Sequence, residues 1–257
     1  MNNHSNWKER IVIHDSKRNI AIASSEEEMI TFAVEHFFDR AQAAIQNNGQ
    51  FSVALSGGST PKKIFKAITA KENLNRIAWE KVLLFWSDER AVPPESVDSN
   101  YRMAMESGFN TVPISSKHIF RMHAEKDIES NAKAYEETIL KHLPNGAFDL
   151  VILGMGEDGH TASLFPNTHA LEIHDKLVVA NYVPEIHSWR MTLTFEAINQ
   201  SRESVIYIMG KGKSSLIKKL FTEGSDNRNL PIDRVGTPEH PALWIIDNAS
   251  ASELTLA

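Results

Sequence analysis

The stretch that decides the fold lies in the middle of the chain, where residues 148–166 read FDLVILGMGEDGHTASLFP. Residues Phe148–Leu153 are apolar and rich in strand-forming side chains, so they predict a buried β-strand. Glycines, acidic residues and a histidine follow directly. In chains that alternate strands and helices, ligands bind beyond the carboxyl ends of the strands. The stretch therefore predicts an active-site loop with His160 at its centre.

The same loop matches the G-x-G-x-x-G fingerprint of dinucleotide-binding proteins at Gly154, Gly156 and Gly159. That fingerprint must lead into a helix whose N-terminus faces a pyrophosphate. Here Pro166 follows within two helical turns, and two acidic residues inside the loop would repel the anion. We therefore interpret the run as a catalytic loop rather than a nucleotide site. A glycine turn with an incidental histidine is the structural alternative.

Length and charge limit the class of protein. The 257 residues are 42% hydrophobic, which is enough to bury a substantial core. No Gly/Ser-rich linker, low-complexity block or internal repeat marks a boundary, so we expect a single domain over residues 1–257. The formal net charge of −6 argues against nonspecific nucleic-acid binding, and we expect a small-molecule partner instead.

Several classes of site and location are disfavoured by what the sequence lacks. It has no cysteine, which excludes a cysteine nucleophile and a thiolate metal site. Its eleven histidines show no i, i+4 pair on a predicted helix, so we expect no metal ion. The first ten residues lack the apolar core of a signal peptide, and no segment approaches the ~18 apolar residues of a membrane span. We expect a cytoplasmic protein with no membrane partner.

Strand and helix patterns alternate along the chain. A capping-box spacing at Ser25–Glu28 opens a predicted helix that ends at Asn48–Gly49. The pattern predicts strands near 10–14, 51–55, 82–86, 148–153, 204–209 and 243–247, and further helices near 61–71, 99–107, 127–142 and 213–221. This order predicts an α/β fold: a single-domain, largely parallel, doubly wound (Rossmann-like) sheet with helices on both faces. Segment 167–190 is less regular and reads as an excursion that covers the site or crosses the surface.

Four of these strands lead into loops that contain glycine, hydroxyl, charged or histidine residues, and a parallel sheet would bring all four loops to one edge. The first loop has the residue types of a phosphate cradle, because glycine amides and hydroxyl groups are anion donors. It lacks the Gly-Lys-Ser/Thr ending of a P-loop, which favours a monophosphate over a nucleoside triphosphate. A capped glycine turn is the alternative. The candidate binding residues are Ser56, Gly57, Gly58, Ser59 and Thr60, with Pro61 in the first turn of the next helix.

Basic residues mark two further loops. Arg90 follows Asp88 and Glu89 and can grip phosphate or sugar oxygens, while the acids bind hydroxyl groups or hold the arginine. Lys213 stands at a predicted helix start, where a cation opposes the helix dipole unless an anion binds there. Solvated turns are the alternatives for both loops. The fourth loop is the one that carries His160.

At these residues the chain resembles the 6-phosphogluconolactonase family, within a larger group that includes glucosamine-6-phosphate deaminase and ribose-5-phosphate isomerase. The likeness spans most of the chain, and its most specific part is the run from Gly154 to Pro166. The other anchors are the segments 56–61, 87–90, 99–101, 190–194 and 210–213.

The resemblance implies hydrolysis of 6-phospho-D-glucono-1,5-lactone to 6-phospho-D-gluconate in the oxidative pentose phosphate pathway, without a cofactor. Lactone opening needs a base, and a neutral imidazole suits this role, so His160 is predicted as the base. Asp158 either orients that imidazole or binds substrate. Arg90, Arg190 and Lys213 are predicted to bind the phosphate together with the first loop. We expect a monomer or a weak homodimer.

Two alternatives remain. The deaminase shares the phosphate loop and the Asp-Gly-His turn, but its pattern has a glutamate at about Phe165 and Asp-Glu-Tyr where this chain has Asp88-Glu89-Arg90. Both differences favour the lactonase. A non-catalytic sugar-phosphate sensor is the second alternative, since effector domains of some transcription regulators resemble this fold. Such a protein would add a basic helix-turn-helix, which the acidic N-terminal region does not offer.

Overall fold

The structure is a computed structural model that describes residues 7–222, 224, 227 and 229–254. Short apolar runs form its centre. The described residues contain ten strands and six α-helices. The strands are β1 (Ile11–Ile13), β2 (Arg18–Ala23), β3 (Phe51–Leu55), β4 (Val82–Trp86), β5 (Asp88–Arg90), β6 (Leu150–Leu153), β7 (Val178–Val183), β8 (Ser188–Leu193), β9 (Ser204–Ile208) and β10 (Ala242–Asp247). The helices are α1 (Glu26–Asn48), α2 (Ser59–Ile68), α3 (Asn100–Ala104), α4 (Ile128–His142), α5 (Phe195–Asn199) and α6 (Ser214–Phe221).

Seven strands form one sheet in the order β1-β2-β10-β9-β6-β3-β4. Only the edge pair β1 and β2 is antiparallel, and the other neighbours are parallel. Every residue of β3, β4, β6, β9 and β10 is buried. Complete burial is expected of parallel strands that are covered on both faces. The predicted α/β fold with a largely parallel sheet is confirmed.

Aromatic contacts show that helices cover both faces of this sheet. Phe51 of β3 packs against Phe37 of α1, with ring centroids 5.4 Å apart. Ala54 lies on the opposite face of β3, because successive side chains alternate between faces, and it pairs with Phe85 of β4. Phe85 packs against Tyr135 of α4 at 6.2 Å. Helices α1 and α4 therefore lie on opposite sides, as the doubly wound arrangement requires.

Helix α1 begins and ends where the sequence predicts. Ser25 is its N-cap and accepts a hydrogen bond from the Glu28 amide at 3.2 Å. The Glu28 carboxylate accepts from the amide and the hydroxyl of Ser24, so the reciprocal half of the capping box is shifted by one residue. Gly49 ends the helix in the left-handed region, with φ 78°.

Within the described residues, no helix combines the length and the apolar character that a bilayer span requires.

The sequence interpretation missed a second, three-stranded antiparallel sheet in the order β5-β8-β7. Segment 167–190, predicted to be an irregular excursion, contains β7 and the first residues of β8. Residues 88–90, predicted to lie in a loop, form β5, and Arg190 lies inside β8. The three residues of β5 are charged, and their sequence shows no pattern typical of a strand. They form a strand through their pairing with β8. Strand β2 of the large sheet was also missed.

The second sheet has one face toward helix α4. Glu136 of α4 accepts hydrogen bonds from the amides of Leu177 and Val178 at the start of β7, and α4 packs on β7 and β8. The pairing Arg90 with Arg190 and Asp88 with Thr192 puts these side chains on the opposite face. That face lies over the carboxyl end of the large sheet, where the predicted loops converge.

Two helices differ from their predicted bounds. Helix α2 begins at Ser59 and ends at Ile68, so the predicted range 61–71 is displaced toward the C-terminus. The predicted helix at 99–107 is a short α-helix followed by a π-helical turn, Met105–Phe109, in which Gly108 has φ 120°. The backbone cannot continue a regular α-helix through a residue of positive φ.

A buried polar cluster joins α1 to β9. The Nε2 atom of His36 lies 2.5 Å from Oε1 of Glu203, and Nδ1 lies 3.1 Å from the Tyr207 hydroxyl. Arg40 donates to the second carboxylate oxygen at 3.1 Å. Burial raises the pKa of Glu203, but the charges and hydrogen bonds of His36 and Arg40 outweigh it and hold that pKa below its usual value. The cluster therefore stabilises the fold more when Glu203 is ionised than when it is protonated.

We predict that Glu203→Gln lowers the free energy of unfolding by about 1–3 kcal/mol at pH 7. Since the pKa of Glu203 is lower in the folded than in the unfolded state, its contribution is present above the unfolded value near ~4.3 and is lost as pH falls through the folded value. Urea denaturation at pH 7 and at pH 4 checks this, with the exposed Glu185→Gln as control. If Glu203→Gln lowered the free energy of unfolding equally at pH 7 and at pH 4, the prediction would be wrong.

Candidate active site

The predicted site residues come together in one cavity at the carboxyl edge of the large sheet. Its volume is about 280 Å³, near the lower end of the ~300–1,000 Å³ typical of small-molecule sites. The cavity lies between the ends of β3, β6 and β9 and the second sheet. All of the predicted residues except Asp158 line it, namely Ser56, Gly57, Gly58, Ser59, Thr60, Arg90, His160, Arg190 and Lys213.

Asp158 lies behind the imidazole of His160. The distance between His160 Nδ1 and Asp158 Oδ1 is 2.6 Å, and the His160 amide donates to the same oxygen at 3.1 Å. Partial burial opposes ionisation of Asp158, but the hydrogen bonds from His160 lower its pKa below the usual value. Because an ionised carboxylate only accepts, the neutral imidazole in this contact carries its proton on Nδ1 and its lone pair on Nε2. His160 can therefore accept a proton at Nε2.

Two glycines shape the loop around this pair. Gly156 approaches the imidazole so closely that a Cβ there would lie 2.1 Å from His160 Nδ1. Gly159 has φ 80°, a conformation that favours glycine, and its carbonyl accepts from the Ile232 amide at 2.9 Å. The next helical turn begins only at His169. Gly156 thus serves the packing of the histidine, and among the described residues no helix follows the loop as a dinucleotide site needs.

Phe165 packs flat on the imidazole of His160. The ring centroids are 4.0 Å apart and the planes differ by 23°. The imidazole is therefore held by Asp158 at Nδ1 and by Phe165 on one face. No carboxylate occupies the position where the deaminase pattern has its glutamate.

Ser163 ties the His160 loop to all three strands of the second sheet. Its hydroxyl donates to Asp88 Oδ2 of β5 at 2.6 Å, and its amide donates to Thr192 Oγ1 of β8 at 3.1 Å. Its carbonyl accepts from Asn181 Nδ2 of β7 at 2.9 Å. The sequence interpretation missed these roles because they depend on a sheet that it did not predict. The short polar alternation in 188–193 was the only signal available.

Two arginines face each other across the second sheet. Arg90 and Arg190 are direct partners in the β5–β8 register, and like charges so placed repel each other. Burial, and then the charge of Arg90, lower the pKa of Arg190. Arg90 Nη1 donates to the Asp98 carbonyl at 2.6 Å. An anion between the two guanidinium groups would relieve the repulsion.

Arg190 and Lys213 have no ion-pair or hydrogen-bond partner among the described residues. Every other arginine in the described part of the chain contacts a carboxylate or a carbonyl. Lys213 ends the 3-10 turn Lys211–Lys213 before α6 and lines the same cavity. Unpaired cations around one cavity indicate an anion site.

The phosphate-type loop leads into helix α2 through a glycine. Gly58 is the N-cap, with φ 108° and no side chain to cap the helix. The first amides of a helix have no intrahelical acceptor, so those at the start of α2 are available to a ligand in the cavity. Pro61 lies in the first turn, as predicted.

Glu89 joins β5 to α3 instead of contacting a ligand. Its carboxylate is buried and accepts from the Ser99 hydroxyl and from the amides of Arg90, Asn100 and Tyr101. Burial raises its pKa, against the opposing effect of these amides. The two roles predicted for the acids beside Arg90 were to bind hydroxyl groups or to hold the arginine, and the bond from the Arg90 amide to the Glu89 carboxylate fits the second. Within the described residues, no three metal-ligating side chains cluster together.

This combination defines a class of protein: an α/β protein with basic residues and a histidine–aspartate pair at the carboxyl edge of a parallel sheet. The model of the family described as glucosamine-6-phosphate isomerases/6-phosphogluconolactonase matches residues 24–244. The chain belongs to this family.

Named relatives fall mostly on the lactonase side of the family. A 6-phosphogluconolactonase from Chlamydia trachomatis is 42% identical over 248 residues, which are 96% of this chain and 94% of the relative. The solved structure of a 6-phosphogluconolactonase from Trypanosoma cruzi has a TM-score of 0.81 at 26% identity and covers 96% of this chain and 99% of its own. A monomeric glucosamine-6-phosphate deaminase has a TM-score of 0.77 at 18% identity, covering 91% and 99%, and shares the fold. The fold alone thus does not separate the two activities.

We predict that Gly156→Ala displaces the His160 ring and breaks its hydrogen bond to Asp158, because the new Cβ would overlap the imidazole. Gly154→Ala is the matched control, since a Cβ there meets no atom within 4 Å. The measurement is the ring nitrogen chemical shifts of His160, which report the tautomer. If Gly156→Ala leaves these shifts unchanged, the close packing described above is wrong.

Proposed function

We propose that this chain hydrolyses 6-phospho-D-glucono-1,5-lactone to 6-phospho-D-gluconate, a step of the oxidative pentose phosphate pathway. The observation that carries the proposal is a histidine oriented by Asp158 at Nδ1, with no hydrogen bond at Nε2 from the described residues, in one cavity with Arg90, Arg190 and Lys213. A base and an anion anchor are what a phosphorylated lactone requires. The name of the 42% identical relative supports the same activity.

His160 acts as general base and then as general acid. Its Nε2 removes a proton from water as the water oxygen attacks the lactone carbonyl carbon. The tetrahedral intermediate collapses by breaking the bond to the ring oxygen, which takes the proton back from Nε2. The new carboxylic acid then loses its proton to solvent. Asp158 stays ionised and stabilises the transient imidazolium, so we assign it the orienting role.

Backbone amides near the start of the His160 loop would stabilise the oxyanion of the intermediate. Gly154 and Met155 line the cavity there. The Gly156 amide is already bonded to the His160 carbonyl at 2.9 Å and does not contribute. Ser163 is buried with its hydroxyl on Asp88, so no acyl-enzyme step is assigned to it.

The phosphate of the substrate would bind between the loop 56–60 and the cations. The first amides of α2 approach it from one side, and Arg90, Arg190 and Lys213 approach it from the other. These contacts orient the lactone rather than break a bond, so they act mainly on substrate affinity.

A deaminase activity is the alternative within the family. Its pattern places a carboxylate where Phe165 packs on the imidazole, and ring opening with proton transfer to the sugar depends on that group. A sugar-phosphate sensor without turnover is the other alternative, and an oriented, accessible Nε2 favours catalysis over it.

We further propose that residues 1–257 act as one domain, in the cytoplasm, as a monomer or weak homodimer that does not bind nucleic acid. The continuous core of the described residues supports a single domain. The net charge of −6 supports the absence of a nucleic-acid partner.

We predict that the wild-type protein accelerates opening of freshly generated 6-phosphogluconolactone above the spontaneous rate at neutral pH, and that His160→Ala abolishes the acceleration. Asp158→Asn should lower kcat about 10²-fold or more with little change in KM, because the imidazole loses its orientation. Oxidation of the product by a coupled dehydrogenase, or NMR, follows the reaction. A folded wild-type protein that does not exceed the spontaneous rate contradicts the proposal, and turnover of glucosamine 6-phosphate would replace it.

We predict that Arg190→Ala raises KM for the phosphorylated lactone about tenfold or more with a smaller effect on kcat, because a charged hydrogen bond to phosphate is lost. Arg202→Ala, which removes an exposed arginine paired with Asp149, is the control. Steady-state kinetics with the phosphorylated lactone and with gluconolactone measure the effect. A similar loss with both lactones would contradict the role in phosphate binding.

A further inference from the structure

Asn100 lies between the phosphate loop and the second sheet, and its side-chain orientation is determined. The Nδ2 group donates to both the main-chain carbonyl and the Oδ1 atom of Asp88, each at 3.0 Å. Both Nδ2 protons are therefore used, and Oδ1 points away from Asp88. The side chain is almost completely buried, with 2% of its surface exposed.

The Oδ1 atom of Asn100 lies against the backbone of Gly57. A Cβ at residue 57 would be 1.9 Å from Oδ1, so only glycine allows this approach. Oδ1 is buried and has no hydrogen-bond partner among the described residues. An unpaired buried acceptor is unfavourable. Its presence beside a ligand cavity indicates a function that offsets the cost.

The backbone of Asn100 is fixed to the strand that carries Arg90. Its amide donates to Glu89 Oε1 at 2.8 Å, and the Arg90 amide donates to the same oxygen at 2.8 Å. The side chain then spans from Asp88 to Gly57. A continuous series of buried contacts thus sets the position of the phosphate loop relative to β5.

We propose that Asn100 is a positioning residue that determines specificity for a phosphorylated lactone. It holds Gly57 so that the first amides of α2 and the Arg90–Arg190 pair converge on one phosphate group. Its Oδ1 atom contacts the loop, and it acts on phosphate affinity rather than on bond breaking. The identity of the substrate in this inference rests on the proposed function, whereas the role of Asn100 at the anion site does not.

The first test is Asn100→Ala, with the exposed Asn110→Ala as matched control. Binding of inorganic phosphate, measured by calorimetry, should weaken about tenfold in Asn100→Ala. In kinetics, kcat/KM for 6-phosphogluconolactone should fall by a similar factor through KM, while kcat/KM for unphosphorylated gluconolactone changes less than about threefold. Thermal unfolding verifies that each variant is folded.

The second test uses the contact with Gly57. Gly57→Ala alone should weaken phosphate binding strongly, because the new Cβ overlaps Oδ1. In the Asn100→Ala background that overlap is absent, so adding Gly57→Ala should have a much smaller effect. The non-additivity of this double-mutant cycle reports the contact directly.

Equal losses of kcat/KM with both lactones, or additive effects in the cycle, would overturn the inference and leave Asn100 as a purely structural residue. Unchanged phosphate binding in a folded Asn100→Ala would overturn it as well. A wild-type protein that binds phosphate but opens neither lactone would contradict the proposed function, and the calorimetric cycle would still decide the role of Asn100.

Discussion

The buried hydrogen bond from the Ser163 hydroxyl to the Asp88 carboxylate connects the two sheets, and the site depends on it. A carboxylate that is almost fully buried needs donors for its oxygens, since otherwise desolvation makes it unfavourable. Asp88 takes one donor from the His160 loop, through Ser163, and one from the start of α3, through Asn100. Satisfying this single group therefore aligns the base, the arginine strand and the phosphate loop.

The arginines of the described residues have carboxylate or carbonyl partners except for Arg190 at the cavity. The chain carries a formal net charge of −6, and arginines elsewhere in the described residues contact carboxylates or carbonyls. At the cavity, Arg90 and Arg190 are placed opposite each other, and Lys213 adds a third cation. Like charges so placed repel each other, and an anion would relieve that repulsion, which supports the proposed phosphorylated ligand.

The fold shared with a deaminase shows that architecture alone does not determine the reaction. The deaminase has a TM-score of 0.77 to this chain at 18% identity. Here an aromatic ring, Phe165, stacks on His160 at 4.0 Å, and an arginine stands at position 90. Position 165 therefore supplies an apolar ring and no carboxylate beside the His160–Asp158 pair, which favours the proposed activation of water over proton transfer to and from a sugar carbon.

The sequence by itself determined the parallel sheet, both ends of α1 and the convergence of the loops, because apolar periodicity, capping residues and glycine turns are local signals. The predicted site residues could be grouped for the same reason: the carboxyl ends of parallel strands share one edge. The second sheet could not be predicted, since Asp88–Arg90 becomes a strand only through its pairing with Ser188–Leu193. The contacts of Ser163, Asn100 and Phe165 also required the tertiary structure, because each joins residues that are distant along the chain or depends on the exact path of a loop.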